Sequence, residues 1–104
     1  MPAKAQPTFA SERALLSGLG ERLRLARRRR GYSADIVAER AGLSRVTLFR
    51  AEKGEPAVTL GSYLKILGVL HLERDLEHIA QDDILGRRLQ DLALSQKRRQ
   101  RGPT

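Results

Sequence analysis

The sequence of 104 residues predicts an all-α fold of about five short helices. Apolar residues recur at intervals of three and four along most of the chain, which is the spacing of one face of a helix. Serine or threonine precedes several of these segments and glycine follows several, and these residue types cap the two ends of helices. No stretch of the core alternates between apolar and polar residues, so we expect no strand there.

The first helix is predicted to start at Ser11 and to stop at Gly31. Its apolar face is formed by Leu16, Leu19, Leu23 and Ala26. Four consecutive arginines, Arg27 to Arg30, fill its last turn, where the helix dipole favours cations. Apart from Arg27, each of these arginines is equally compatible with a solvated helix end and with a contact to phosphate.

Two shorter helices follow, one from Ala34 to Ala41 and one from Arg45 to Lys53. Each is preceded by a serine that can cap it and followed by a glycine that can end it: Ser33, Gly42, Ser44 and Gly54. The side chains expected to point inward are Val37, Ala38, Ala41, Leu48 and Ala51. The remaining surface of the third helix is then exposed.

Two further helices are predicted before residue 80. The fourth is capped by Thr59, and its apolar side is formed by Leu60, Tyr63, Leu64, Leu67 and Leu70. The fifth is shorter and carries Leu72, Leu76 and Ile79. Both are amphipathic enough to bury one side against the earlier helices.

The end of the chain leaves two interpretations open. Leu85, Leu89 and Leu92 are spaced for one more amphipathic helix, but LQDLALS is also short enough to pair as a strand. The final segment, QKRRQRGPT, is expected to be disordered because it is polar and highly charged.

Charge is distributed unevenly along the chain, which has a formal net charge of +8. Residues 17–83 hold twelve basic and ten acidic side chains, a net of +2, whereas residues 84–104 hold six basic and one acidic, a net of +5. A basic surface attracts nucleic acid, an anionic membrane or an acidic protein. The sequence has no cysteine, which excludes disulfides and thiolate metal sites and favours a cytoplasmic protein.

The segment from Ser33 to Gly54 predicts a helix-turn-helix, because its two short helices meet at Gly42-Leu43-Ser44. Glycine permits the positive backbone dihedral of the turn, and Leu43 can fill the space between the helices. The second helix then projects far enough to enter a major groove of DNA. Its exposed side chains are the candidates for contact with DNA: Arg45, Val46, Thr47, Phe49 and Arg50. Phe49 could equally contact a thymine methyl group or a protein partner.

This segment resembles the Cro/CI-like (XRE) helix-turn-helix repressors over about residues 18–80. The resemblance rests on the motifs A-x-x-A-G-L-S and E-K-G, and on an arginine and a glutamate at the positions of Arg27 and Glu52. It implies a five-helix, lambda-repressor-like domain and a buried salt bridge between Arg27 and Glu52. It also implies that Ser44 holds a phosphate and that base edges are contacted by Arg45, Val46 and Arg50, with Thr47 beside them.

One position departs from the family pattern. The family usually has glutamine at the start of the second helix, where it anchors a backbone phosphate, and this chain has Ala34. The resemblance therefore implies that another group anchors the phosphate, and the candidates are Ser33, Lys53 and the run from Arg28 to Arg30.

The main prediction is a transcriptional repressor that binds double-stranded DNA as a homodimer, because one recognition helix contacts too few base pairs to define a site. The expected subunit contact is formed by Leu70, Leu72, Leu76 and Ile79. The segment TLGSYLKILGVLHLERDL is also similar to HipB-like antitoxins. The alternative is thus an antitoxin that neutralises a protein toxin and binds DNA to regulate its own synthesis.

Three parts of the chain are expected: a flexible arm (1–15), the helix-turn-helix DNA-binding domain (16–80) and a basic C-terminal extension (81–104). No arrangement of nucleophile and base, or of metal ligands, accompanies the acidic residues, so we expect no catalytic residue, metal or cofactor. No apolar run approaches the roughly 20 residues of a membrane helix, and a membrane partner is not expected.

Overall fold

The computed structural model describes residues 9–101, with side chains up to residue 99. The described residues form five α-helices and one 3₁₀ helix, and they contain no strand. The α-helices are α1 (Ala10–Arg29), α2 (Ala34–Ala41), α3 (Arg45–Glu52), α4 (Leu60–Val69) and α5 (Ile84–Arg101), and the 3₁₀ helix spans Glu73–His78. The all-α prediction is confirmed. The chain divides between residues 74 and 75 into two compact units.

Helix α1 begins earlier than the sequence predicts. Its first residue is Ala10, so residues 10–15 are helical and the predicted flexible arm over 1–15 is wrong for them. The carboxylate of Glu12 accepts a hydrogen bond from the Phe9 backbone N–H at 3.0 Å, which satisfies a donor at the helix start. Residues 1–8 of the predicted arm lie outside the described residues.

The core of the first unit is assembled from α1 to α4. Its buried residues are Leu23, Ala26, Val37, Ala38, Leu48, Ala51, Tyr63, Ile66 and Leu70. Helix α2 packs on α3 and α4, while α3 also packs on α1. The inward faces predicted for the second and third helices are buried, which confirms those predictions. The small alanines allow close helix crossing, so α3 is held at its inner side by packing.

Helix α1 and the end of α3 are in direct backbone contact through two glycines. A Cβ atom added to Gly20 would lie 2.5 Å from the carbonyl oxygen of Glu52 and 2.7 Å from that of Ala51. A Cβ atom on Gly54, which has a φ of +73°, would collide with the backbone of Leu16. Gly20 is required because the backbones of α1 and α3 approach closely there. Gly54 is required for the same close approach and also for its left-handed backbone conformation.

The buried side of α4 differs from the predicted one. Ile66 is buried, whereas Leu60 and Leu64, both assigned to the inward side, are exposed. Leu70 is 0% exposed because it packs within the core of its own chain, so the prediction that it forms a subunit contact is wrong. Helix α4 is apolar on more than one side, and periodicity alone therefore could not select the side that packs.

The predicted fifth helix is a 3₁₀ helix, preceded by a turn in which His71 has a φ of 61°. After it, α5 extends over the segment whose conformation the sequence left open, and it includes most of the stretch expected to be disordered. The side chain of Asp83 accepts a hydrogen bond from the Gly86 backbone N–H at 2.9 Å and so caps the start of α5. No helix of the described residues is long and apolar enough to cross a membrane.

Candidate nucleic-acid interface

The turn between α2 and α3 is closed by backbone and serine hydrogen bonds. Ser33 Oγ accepts from the Ile36 N–H at 3.1 Å and caps α2. Gly42 ends α2 with a φ of 67°, and the next N–H, that of Leu43, donates to the Ala38 carbonyl at 2.9 Å. This is the left-handed ending that glycine adopts without steric cost. Leu43 packs against the core, as the sequence predicts, and the two helices are thereby held at a fixed angle.

Ser44 caps α3 and is linked to the first turn of that helix. Its Oγ accepts a hydrogen bond from the Thr47 N–H at 3.0 Å and lies 2.9 Å from Thr47 Oγ1. A serine hydroxyl carries one donor and two acceptor positions, so the cap leaves bonding capacity for a further group. The first turn of α3 is therefore rigid and still able to hydrogen-bond outward.

The outward side of α3 is formed by side chains that neither the core nor another helix covers. Arg45, Val46, Phe49 and Arg50 are exposed, and Thr47 is half-buried. Leu48 and Ala51 lie on the inner side and are buried. The helix therefore presents cationic, hydroxyl and apolar groups together, which are the groups that contact base edges and thymine methyls.

The two arginines on this side are held by weak ion pairs. Arg45 Nε lies 3.3 Å from a carboxylate oxygen of Asp35, and Arg50 Nε lies 3.7 Å from one of Glu55. All four side chains are more than 40% exposed, and exposed pairs contribute only about 0–1 kcal/mol. A guanidinium held so weakly can exchange its carboxylate for a phosphate or a guanine edge. Next to them, the ammonium of Lys53 lies 4.4 Å from the centre of the Phe49 ring.

Arg27 and Glu52 join the last turns of α1 and α3 by a two-point ion pair. Arg27 Nε and Nη2 donate to the two oxygens of Glu52 at 2.7 and 3.0 Å, and Nη1 donates to the Tyr32 carbonyl at 3.0 Å. The side chains are only 14% and 9% exposed. The hydrogen bond to Glu52 raises the pKa of Arg27 above its usual value, against the opposing effect of burial. The pair holds α3 by its C-terminal end rather than contacting solvent.

A cleft of about 340 Å³ lies beside α3, and the sequence analysis did not identify it. Its lining includes Glu21 and Arg24 from α1, Ala34 from α2, and Arg45 and Lys53 from α3 and its end. Ala34, which stands where the family has glutamine, leaves this space open because its side chain is short. Arg24 precedes Arg27 by three residues and so shares its helix face, which is the signal that could have found it.

A second concavity, of about 210 Å³, lies between α3 and the start of α4. Thr47 and Arg50 line it from α3, with Thr59 and Ser62 on the other side. Thr59 Oγ1 accepts a hydrogen bond from the Ser62 N–H at 3.0 Å and caps α4. The sequence identified Thr59 as a helix cap. Its position beside α3 depends on the conformation of the loop between α3 and α4, which residue spacing does not predict.

The groups proposed to replace the missing glutamine are placed differently from one another. Ser33 Oγ accepts the capping hydrogen bond of α2 and can still donate its hydroxyl hydrogen to a phosphate, and Lys53 lies over the Phe49 ring. Arg30 donates to the Ala26 carbonyl at 2.9 Å, while Arg28 and Arg29 are both exposed in the last turn of α1. No group of three or more acidic or histidine side chains that could hold a metal ion occurs among the described residues.

The sequence matches the family model of the helix-turn-helix domain over residues 18–78, which is more than half of the chain. The match begins within α1 and includes α2, the turn and α3, together with α4 and the 3₁₀ helix. The chain matches no curated protein. The capped turn, the buried inner side of α3 and its exposed outer side agree with the family that the match indicates. The chain therefore belongs to the helix-turn-helix domain family, which is related to the XRE type, and is a DNA-binding regulator.

Proposed function

We propose that the chain is a transcriptional repressor that acts in the cytoplasm and binds its operator as a homodimer, with α3 in the major groove. The observation that carries the proposal is the division of α3 into two sides. Leu48 and Ala51 anchor the inner side, and the Arg27–Glu52 pair holds the C-terminal end. The outer side has two arginines whose only described ion pairs are weak and solvent-exposed. Repression follows if the bound protein covers a promoter.

The proposed contacts divide between bases and phosphates. Arg45, Val46 and Arg50 contact base edges, and arginine is suited to this because it can donate two hydrogen bonds to guanine. Ser44 and Lys53 contact phosphates, since they lie at the two ends of α3. Ser33 stands at the start of α2 and contributes a further phosphate contact. Thr47 and Phe49 adjoin the bases, with Phe49 against a thymine methyl.

A homodimer supplies the length of sequence that one helix cannot. A single recognition helix contacts about four base pairs, and two-fold symmetry doubles that number, so half-sites are expected about 10 base pairs apart or at a multiple of this spacing. Selection from random duplexes should therefore yield pseudo-palindromes. Sites without two-fold symmetry would contradict the dimer, and no enrichment at all would contradict sequence-specific binding.

Substitution of the recognition arginines separates base contact from phosphate contact. Arg50→Ala and Arg45→Ala should weaken the selected operator by about 5- to 150-fold, which corresponds to the 1–3 kcal/mol of a two-point guanine contact, and should weaken scrambled DNA much less. Arg13→Ala, at an exposed arginine in the first turn of α1, is the control of equal charge change. Equal losses on both duplexes would show that Arg45 and Arg50 contact phosphate, and equal losses in the control would show a charge effect only.

A further inference from the structure

Helix α5 has a row of leucines that the described part of its own chain leaves exposed. Leu85, Leu89 and Leu92 are 68%, 56% and 60% exposed. Their spacing of four and then three residues is that of the seam of a coiled coil, and Gln96 continues it after another four. In proteins most of the stability of a helix comes from the packing of its amphipathic face rather than from helix propensity. A helix with such a row is therefore expected to be covered by another helix.

The surface of α5 also has the concavity that coiled-coil packing uses. Arg88, Asp91, Leu92 and Ser95 surround a shallow depression on one side of the helix. These residues are related by steps of three, four and seven, which is the arrangement of a hole that receives one side chain from a facing helix. The depression shares Leu92 with the leucine row and lies on the flank of that row.

Two aspartates precede α5 and a basic cluster lies near its C-terminal end, while Arg87 and Arg88 lie in its N-terminal part. Lys97, Arg98 and Arg99 are exposed near its C-terminal end, while Asp82 and Asp83 are exposed directly before its first turn. Asp82 is paired with Arg87 at 2.6 Å, but the two side chains are more than 60% exposed, so the pair is weak and exchangeable. A parallel pair of such helices would place like charges side by side at each end, whereas an antiparallel pair places the cations of one beside the aspartates of the other.

We propose that α5 is a dimerisation surface, occupied by α5 of a second copy of this chain in antiparallel orientation. Leu89 of each copy then lies opposite Leu92 of the other, and Leu85 lies opposite Gln96. In this register Arg88 comes close to Ser95 of the second copy. The inference deepens the homodimer of the proposed function, and it assigns the subunit contact to α5 in place of the predicted surface that included Leu70.

The first test changes the leucine row in the full chain. Leu89→Glu should convert a dimer into a monomer in sedimentation at tens of micromolar, because it places like charges in the middle of the seam. Leu94→Glu is the matched control, since residue 94 is nine residues from Leu85 and therefore half a turn away around the helix, on the opposite side. It should leave the dimer intact.

The second test determines orientation and uses the fact that the chain has no cysteine. Chains with Leu85→Cys mixed with chains with Gln96→Cys should form a disulfide-linked pair on oxidation. Gln96→Cys alone should not, because two residues 96 in the antiparallel register are about 16 Å apart along the axis, beyond disulfide reach. A parallel pair would give the reverse result. These substitutions are mild, so they decide the matter even if Leu89→Glu misfolds.

The outcomes separate this inference from the proposed function. A dimer that survives Leu89→Glu, or disulfides between residues 96, would overturn the antiparallel α5 contact while leaving a homodimeric repressor standing. A monomeric parent chain, both free and on DNA, would overturn the inference and the homodimer together. Loss of the dimer in Leu89→Glu, with preserved binding to a single half-site, supports the inference and shows that DNA recognition resides in the first unit.

Discussion

Helices α3 and α5 both have exposed arginine side chains, but the leucine of α3 is buried whereas the leucines of α5 are exposed. In α3, Leu48 is buried in the core that four helices share, and only the outer side is left for DNA. In α5 the leucines at 85, 89 and 92 are exposed, and the cap at Asp83 is a local hydrogen bond. Helix α3 is thus positioned by tertiary packing, whereas the described residues leave the leucine row of α5 uncovered. Four measurements test this difference.

The same substitution in the two helices should have very different effects. Leu48→Ala removes a fully buried side chain and should lower the free energy of unfolding of the first unit by about 4 kcal/mol. Leu89→Ala should change it by less than about 0.5 kcal/mol when measured at protein concentrations low enough to keep the chain monomeric. Chemical denaturation followed by circular dichroism measures both. Comparable losses would mean that α5 contributes to the same cooperative unit as α3.

The Arg27–Glu52 pair should matter far more than a surface pair on the same helix. Glu52→Ala leaves Arg27 largely buried without its partner and should cost about 3 kcal/mol. Glu21→Ala removes the partner of Arg24, an exposed pair at 3.4 Å, and should cost less than about 1 kcal/mol. Thermal melts of both variants test this. A melt of Glu52→Ala close to the parent would indicate that the two charges are solvated and that α3 is held by apolar packing alone.

Gly20 lies at the crossing of α1 and α3, and Gly68, which lies in α4 away from that crossing, is its control. Gly20→Ala should destabilise the fold by about 2 kcal/mol, because the added Cβ meets backbone oxygens of α3 that cannot move independently. Gly68→Ala, in α4, has no heavy atom within 4 Å of the added Cβ and should stabilise the helix by up to about 1 kcal/mol. Equal small effects would show that the crossing is looser than its backbone contact indicates.

The smallest expected effect is a pH dependence at the alkaline end. Burial, and then the negative charge of Glu55, raise the pKa of Tyr63, whose hydroxyl donates to the Glu55 carbonyl at 3.1 Å. Because the folded-state pKa is above the unfolded one, this stabilisation is complete below about pH 10 and is lost as the pH rises through the folded-state pKa. Stability of the parent should therefore fall above pH 10, and Tyr63→Phe should flatten that fall. Tyr32→Phe, which keeps Tyr63, should not.

The helix-turn-helix itself could be predicted almost residue by residue. Ser33, Gly42 and Ser44 act locally, because a cap satisfies N–H groups within its own first turn and a glycine turn needs only its own dihedral. The bounds of α2 and the start of α3 follow from them. The predicted start of α1 at Ser11 is one residue late, because Phe9 is not a capping residue type and the bond that closes the first turn comes from the side chain of Glu12.

Other features depended on contacts between distant segments. Leu70 and Ile66 could not be separated from Leu60 and Leu64 by periodicity, because α4 is apolar on several sides and only its packing on the earlier helices selects one. The cleft beside Ala34 and Arg24 could not be predicted, because its shape depends on the angle between α1 and α3. The close crossing at Gly20 contributes to that angle. The toxin partner and the assignment of single base contacts stay predictions.

The helix class, the turn at Gly42 and the outward residues of α3 follow from the sequence alone, because capping, dihedral freedom and helical spacing are local properties of the chain. Which side of α4 is buried, how closely α1 approaches α3, and the bond lengths of the Arg27–Glu52 pair that the family resemblance implied became known from the tertiary structure. The physical reason is that burial and ion pairing depend on distances between segments, and those distances are set by the packing of all four helices together.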